Sequence, residues 1–206
     1  MTADPKLPPP LHQAGHRRAD RTTRKVILLA VAITIVGVGA FIFLNTSNLI
    51  HLYDVPAGSM APAIQAGDRL FTQGFGYMKS DPQRGDIVVF KTDDLPGIPV
   101  QTLYTKRVVG LPGEELAIKD GRVLVNGAPA TLRNRNGDIE YVTVRYFHYL
   151  SDSGDTFIVP KDQYFVLGDN SKASADSREF GAVPRKSILG RVVYCYWPPA
   201  HSGSVR

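Results

Sequence analysis

The stretch Tyr53-Asp54-Val55-Pro56-Ala57-Gly58-Ser59-Met60-Ala61-Pro62-Ala63-Ile64 decides how the chain is read. Pro56 and Pro62 stand on either side of Ser59, and Gly58 precedes it. Proline presets φ and withholds a backbone donor. Glycine opens conformations closed to other residues. Such a stretch is no regular helix. It holds its serine in a fixed, irregular backbone, where a hydroxyl and a backbone N–H can face a ligand together. An ordinary Pro/Gly turn leaving a strand has the same composition. The rest of the chain decides between the two readings.

Upstream, Val26–Leu44 carries no charge and is rich in Val, Ile, Leu, Ala and Phe. At 1.5 Å per residue it is about 28 Å long as a helix, close to the thickness of a bilayer core. A helix satisfies its own backbone groups, as lipid requires. A buried core helix would be shorter and flanked by other core elements. A cleaved leader has an apolar region of about 7–15 residues and small residues at its cut site. The end of this run, Phe41-Ile42-Phe43-Leu44-Asn45, has no such site. Ahead of it lies a polar, proline-bearing tail over 1–25, read as disordered because no apolar period runs through it. The tail carries Arg17, Arg18, Arg21, Arg24 and Lys25, whereas Asn45–Tyr53 carries no Lys or Arg. The positive-inside rule then places the N-terminus in the cytoplasm and the chain beyond the helix outside it. The organisation read is a basic tail over 1–25, a transmembrane helix over 26–45 and an extracytoplasmic domain over 46–206.

That domain reads as mostly β. Glycine and proline together number 34 of 206 residues, scattered among Val, Thr and Tyr, which is the punctuation of short strands. Strands are expected at Asp68–Thr72, Ile87–Phe90, Leu103–Val109, Gln163–Leu167 and Gly190–Trp197. Leu116–Ile118 and Arg122–Val125, joined at Asp120-Gly121, form a hairpin. A further strand is read at Tyr141–Tyr149, within an inserted β subdomain over about 115–160. Phe75, Tyr77 and Met78 are core residues or an apolar patch on the membrane surface. The net charge of +5 comes largely from the N-terminal quarter, so it is weak evidence for nucleic acid. Cys195 is the single cysteine, which excludes an intrachain disulfide and a cysteine-based metal site.

The usual partners of a nucleophilic serine are scarce. His12, His16, His51, His148 and His201 stand beside no recognisable motif. No Gly-x-Ser-x-Gly elbow, Ser-x-x-Lys, His-Glu-x-x-His, phosphate loop or dinucleotide fingerprint is present. A triad assembled only in space stays open. A lysine can serve as base if burial strips its proton. Free lysine titrates near 10.4, so a base at about pH 8 needs a fall of about two pH units, roughly 3 kcal/mol, which an apolar site can supply. The candidate is Lys106 in Leu103-Tyr104-Thr105-Lys106-Arg107-Val108-Val109. Alternation puts it on one face with Tyr104 and Val108, and Arg107 on the other. The competing reading is a snorkelling edge lysine. A third stretch, Gly168-Asp169-Asn170-Ser171-Lys172-Ala173-Ser174-Ala175-Asp176-Ser177-Arg178, is either a solvated turn-rich loop or a polar network with a carboxylate–guanidinium pair.

Four ordered stretches carry a family resemblance: Gly58–Pro62, Arg84–Val88, Lys106–Gly113, and Gly168 through Arg178. The sequence resembles bacterial type I signal peptidases, membrane-anchored serine proteases of the Ser/Lys type, over roughly residues 25–197. The resemblance implies a transmembrane helix followed by an antiparallel β-sheet catalytic domain with a small inserted β subdomain. It implies Ser59 as nucleophile and Lys106 as base, with Ser174 aiming the lysine amine. Asp176 and Arg178 would form a supporting ion pair, and Asp169 and Asn170 would shape the same loop. The Ser59 N–H would serve an oxyanion hole; the second, hydroxyl donor of some members falls at Ala57 here. Val55, Pro56, Ala57, Met60, Ile64, Tyr104 and Thr105 would line shallow pockets for small substrate residues at −1 and −3. No metal or other cofactor is implied. The implied partners are signal-peptide-bearing pre-proteins, the lipid bilayer and, as a functional contact, the secretion machinery; nucleic acid is not among them. Two alternatives share the residues: a relative dedicated to one substrate, such as a pilin or conjugation protein, and a non-catalytic membrane-tethered β module. A self-cleaving repressor also pairs Ser with Lys, but here a spanning helix stands where a DNA-binding domain would.

Overall fold

The computed structural model describes residues 16–46, 50–74, 77, 80–141, 148–150 and 154–205, with side chains of 16–20, 44–46 and 50 left aside. The chain divides into two compact units, residues 1–46 and 47–206.

The first unit is one helix, α1, His16–Thr46. Within Arg21–Phe43 an 18-residue stretch has a mean hydropathy of 2.9 and none of it is buried, so the helix is long and apolar enough to cross a membrane. The reading of 1–25 as wholly disordered is corrected here. From His16 onward the chain is helical. No proline follows Pro10 before the span, and Arg, Ala and Lys favour helix, so the turns of the span propagate upstream.

The second unit is built of short antiparallel strands. In chain order they are β1 (Ile50–Asp54), β2 (Arg69–Gln73), β3 (Ile87–Lys91), β4 (Leu103–Gly110), β5 (Glu115–Lys119), β6 (Arg122–Val125), β7 (Ala128–Pro129), β8 (Arg133–Asn134), β9 (Gly137–Asp138), β10 (Thr156–Ile158), β11 (Gln163–Leu167), β12 (Val183–Pro184), β13 (Ile188–Trp197) and β14 (Gly203–Ser204). The main sheet runs β1-β2-β13-β3-β4-β11-β12, with β14 added to β13. A smaller sheet, β10-β5-β6-β7, falls within the segment expected to be an insert, and β8 pairs with β9. The expected strand over Tyr141–Tyr149 lies mostly outside the described residues, as do Phe75 and Met78. Tyr77 is half-buried against the core and donates a hydrogen bond to Asp86 at 2.7 Å.

β3 explains the layering. Ile87 and Val89 enter one core with Val55, Met60, Ile64 and Leu70. Val88 and Phe90 enter another with Val108, Val166 and Phe180. A strand buried on both faces reads as a continuous apolar run, as Ile-Val-Val-Phe does. β4 lies beside it in register, with Val88 opposite Lys106 and Ile87 opposite Arg107. β11 joins β4 from Arg107 onward, where Leu167 is its partner. Three adjacent strands thus bring the end of β11, and the loop after it, beside Lys106 and Arg107.

Candidate active site

Ser59 sits in the irregular turn that leaves β1. Asp68 fixes that turn from outside: its side chain accepts the Gln65 N–H at 2.9 Å, and its carbonyl accepts the Val55 N–H at 2.9 Å. From inside, Asn170 holds the serine's own backbone. Its N–H donates to the Ser59 carbonyl at 3.0 Å, and its Nδ2 donates to the Gly58 carbonyl at 3.2 Å. Among the described residues, the Ser59 N–H has no acceptor.

Lys106 reaches this turn from β4. Its Nζ lies 2.7 Å from Ser59 Oγ. The side chain is 3% exposed, so the snorkelling-lysine reading fails. Burial pushes the amine down from 10.5 to about 8; the Asp176 carboxylate pulls the other way, by less. The amine also stands 5.1 Å from the centre of the Tyr104 ring, its neighbour on the same strand face.

Two buried ion pairs frame the lysine. Arg107, on the opposite strand face, clamps Asp169 with Nε and Nη2 at 2.8 and 2.7 Å. Asp176 caps the short helix α2 (Ser177–Phe180) and accepts from Arg178 Nε and Nη2 at 2.8 and 2.9 Å. It also accepts the Gly168 N–H at 3.1 Å, tying β11's end to the loop. Arg178 in turn donates to Ser171 Oγ and the Ser171 carbonyl, each at 2.9 Å. The loop is therefore the buried polar network, not a solvated turn. A Cβ on Gly168 would overlap Ser174 and the Ser59 carbonyl, so only glycine lets these groups meet.

A cleft of about 290 Å³ opens on Ser59 and Lys106. One wall is Tyr53–Ala57; the other is Thr102–Lys106; Met60, Val89, Ala173 and Ala175 close it. A larger cavity of about 600 Å³ lies elsewhere, lined by Arg84, Asp86, Arg107 and Arg191 among others, without Ser59 or Lys106. Its size does not make it the reactive site, because its guanidiniums are already matched to Glu114, Asp169 and Asp86.

The family described as signal peptidase, peptidase S26, matches residues 25–197. The chain belongs to this family. The probable signal peptidase I-2 of Synechocystis sp. is 38% identical over 150 residues, which is 72% of this chain and 64% of that protein. Signal peptidase I of Leptolyngbya laminosa is 31% identical over 204 residues, 98% of this chain and 93% of that protein. Signal peptidase IB of Staphylococcus aureus is 32% identical over 183 residues, covering 84% and 88%. Membership makes the chain a serine peptidase, and the apolar helix α1 supports anchoring in a membrane.

Against the residues named from sequence, the peptidase fold brings Ser59, Lys106, Asp176, Arg178, Asp169 and Asn170 together. Val55, Pro56, Ala57, Met60, Tyr104 and Thr105 line the cleft. Ile64 does not: it is wholly buried in the core beneath, because the turn at Met60–Ile64 folds its side chain inward. The hydrogen bond expected from Ser174 to the lysine amine is absent. Ser174 Oγ is buried without a partner among the described residues, pressed against Gly168 instead. Sequence reading missed the Arg107–Asp169 pair, although alternation had already turned Arg107 away from Lys106. It also missed Tyr53, Val89, Thr102, Leu103, Ala173 and Ala175 as cleft walls.

Proposed function

We propose that this chain removes N-terminal signal peptides from exported pre-proteins, with Ser59 as nucleophile and Lys106 as general base. The observation that carries the reading is a serine hydroxyl 2.7 Å from a lysine amine that burial depresses to about 8. A neutral amine accepts the Ser59 proton as Oγ attacks the carbonyl carbon of the substrate's −1 residue. The oxyanion of the tetrahedral intermediate takes the unused Ser59 N–H. The protonated lysine returns its proton to the leaving amine, and the signal peptide remains as an ester on Ser59. Lys106 then deprotonates a water, which cleaves the ester and restores both groups.

The cleft suits an extended chain. Residues 103–106 of β4 pair with β3 on one edge only, since β11 begins to pair at Arg107. A substrate strand can take the free edge, with backbone bonds giving affinity and alternate side chains giving choice. Val55, Pro56, Met60, Tyr104 and Ala175 leave shallow, apolar space, which fits small residues and rejects large ones. Six Lys and Arg residues precede the span and none lies in Asn45–Tyr53, which supports an outer-side position for the β domain. Cleavage there, beside the bilayer and the export machinery, is the natural end of translocation. In this reading Asp176, Arg178, Asp169 and Asn170 hold the geometry, and Ser174 closes its inner side.

The test incubates the full chain in detergent with a pre-protein and maps the cut by mass spectrometry. The wild type cuts after a small residue; Ser59→Ala and Lys106→Ala do not. Retained cutting by Lys106→Ala refutes the Ser/Lys assignment.

A further inference from the structure

Ser59 stands on a loop whose neck is tied by three bonds. The Val55 N–H donates to the Asp68 carbonyl at 2.9 Å, the Gly67 N–H to the Val55 carbonyl at 2.8 Å, and the Gln65 N–H to Asp68 Oδ2 at 2.9 Å. The third bond depends on the pose of a carboxylate that is only 2% exposed. A buried carboxylate keeps its pose when both oxygens are engaged, and turns toward water when one is not. Its other oxygen, Oδ1, lies 2.8 Å from His201 Nδ1. Cys195 is a second buried neighbour: burial first, and then the Asp68 charge, push its thiol up. That thiol donates to the Trp197 carbonyl at 3.2 Å, so it does not stand in for the histidine.

The chain beyond β13 delivers His201 as part of a strap. After Trp197 it makes one 3-10 turn, Pro199–His201, and returns as β14 beside Tyr194 and Cys195. Val205 then enters the core that holds Val55, Met60, Ala63 and Ile64. The strap thus meets the Ser59 loop twice, through an apolar side chain in the core and a polar one at the neck. We propose that His201 is a positioning residue for the Ser59 hydroxyl: it holds the Asp68 carboxylate on the Gln65 N–H, and the closed neck holds Ser59 Oγ on Lys106 Nζ. A carboxylate only accepts, so Nδ1 carries the proton. An imidazolium and a neutral ring protonated at Nδ1 both meet that demand, so the brace does not depend on the charge of the ring. The inference rests on Ser59 and Lys106 being the reacting pair.

The test compares wild type, His201→Ala and His201→Asn as full chains in detergent. Asparagine can place Nδ2 where the ring places Nδ1. Turnover of a saturating pre-protein is followed on both sides of pH 8, and hydrogen exchange over residues 58–68 is read by mass spectrometry. His201→Ala should turn over about tenfold more slowly, since small displacements of a nucleophile are costly. Its pH break should stay at about 8, because the surroundings of the Lys106 amine are unchanged. Exchange at the Gln65 amide should quicken about tenfold as its acceptor swings away. His201→Asn should return turnover and exchange to within about twofold of wild type. A merely structural histidine would lower the melting temperature and leave turnover and exchange at Gln65 as they are. A wild type that does not cut refutes the Ser/Lys reading and this inference with it. A wild type that cuts, with His201→Ala within twofold of it, overturns this inference alone. So does a break that moves with the loss, unchanged exchange at Gln65, or an asparagine variant as slow as alanine. If the alanine variant does not fold, asparagine decides alone: turnover within twofold of wild type supports the brace, and a tenfold loss overturns it.

Discussion

Replacing Lys106 by methionine should make the fold more stable at neutral pH while ending catalysis. The amine titrates at 10.5 when unfolded and at about 8 when folded, because burial disfavours its charge. That gap corresponds to about 3 kcal/mol, since each pH unit is 1.36 kcal/mol. The folded value is the lower one, so between about 8 and 10.5 the unfolded chain binds the extra proton, and stability rises with pH across that window. Below it the whole handicap is present; above it none remains. Methionine keeps the apolar stem and removes the titration, but it forfeits the bond to Ser59 Oγ, worth about 1 kcal/mol net. The variant should therefore gain about 2 kcal/mol at pH 7, draw level with wild type near pH 10 and fall behind above it. Guanidinium unfolding of the full chain in detergent measures this, read by the single tryptophan, Trp197 on β13. A variant less stable than wild type at pH 7 would refute the buried-amine account. So would a difference that does not change between pH 7 and pH 10.

In the proposed mechanism the same amine governs rate: acylation of Ser59 by a penem should fall about tenfold for each pH unit below about 8 and level off above it, because only neutral lysine accepts the proton. A flat profile, or one breaking near 6.5 as a histidine would, excludes Lys106 as base. Gly168→Ala should cut turnover by more than about a hundredfold, since even small displacements of a nucleophile are costly and the new methyl would overlap Ser174 and the Ser59 carbonyl; wild-type turnover would show that the loop yields freely. Asp169→Ala should destabilise the domain by about 3–5 kcal/mol, because it strands the buried Arg107 charge, and pairing it with Arg107→Met should recover much of the loss. Thermal melting of the single and double variants checks this, and additive losses would argue against a coupled pair. Ser174→Ala should raise stability by about 1 kcal/mol, because it removes a buried hydroxyl without a partner; a loss of stability in chemical unfolding would mean that the hydroxyl is bonded in solution.

Much of this site is readable in the sequence because local chemistry and fold agree there. Ile87–Phe90 and Gln163–Leu167 are apolar runs bounded by turn residues, and both form strands with nearly those limits. The hairpin at Asp120-Gly121 likewise forms between β5 and β6, with Asp120 at φ 50° and Gly121 at φ 72°. β1 is less readable: Ile-His-Leu-Tyr-Asp is short, and it becomes a strand through its register with β2, Leu52 opposite Phe71. Strands of two residues, such as β7, β8 and β12, are too short to show a period. The Arg107–Asp169 pair joins residues 62 apart in sequence and exists only because β11 lies beside β4. Ala173 and Ala175 line the cleft because the loop closes over it, and nothing in an alanine's identity announces that. The upstream turns of α1 were hidden for another reason, since a run of cations reads as solvated chain until a long neighbouring helix carries the backbone through it.

The lysine's low pKa is the outcome of a contest that the surrounding ion pairs decide. Burial disfavours the charged amine, but Asp176, close by and equally dry, favours it. An isolated carboxylate in such surroundings would strongly attract a proton onto the amine. Asp176 is not isolated: both its oxygens are engaged by Arg178, and one also takes the Gly168 N–H. The guanidinium spends most of that negative potential at short range, so desolvation wins and the amine stays poised. Arg107 and Asp169 cancel each other in the same way on the far face of β4. The buried pairs are poor sources of stability in themselves. What they do here is let a carboxylate bind the loop beside Ser59 without recharging the Lys106 amine, which a neutral side chain could not do with as many hydrogen bonds.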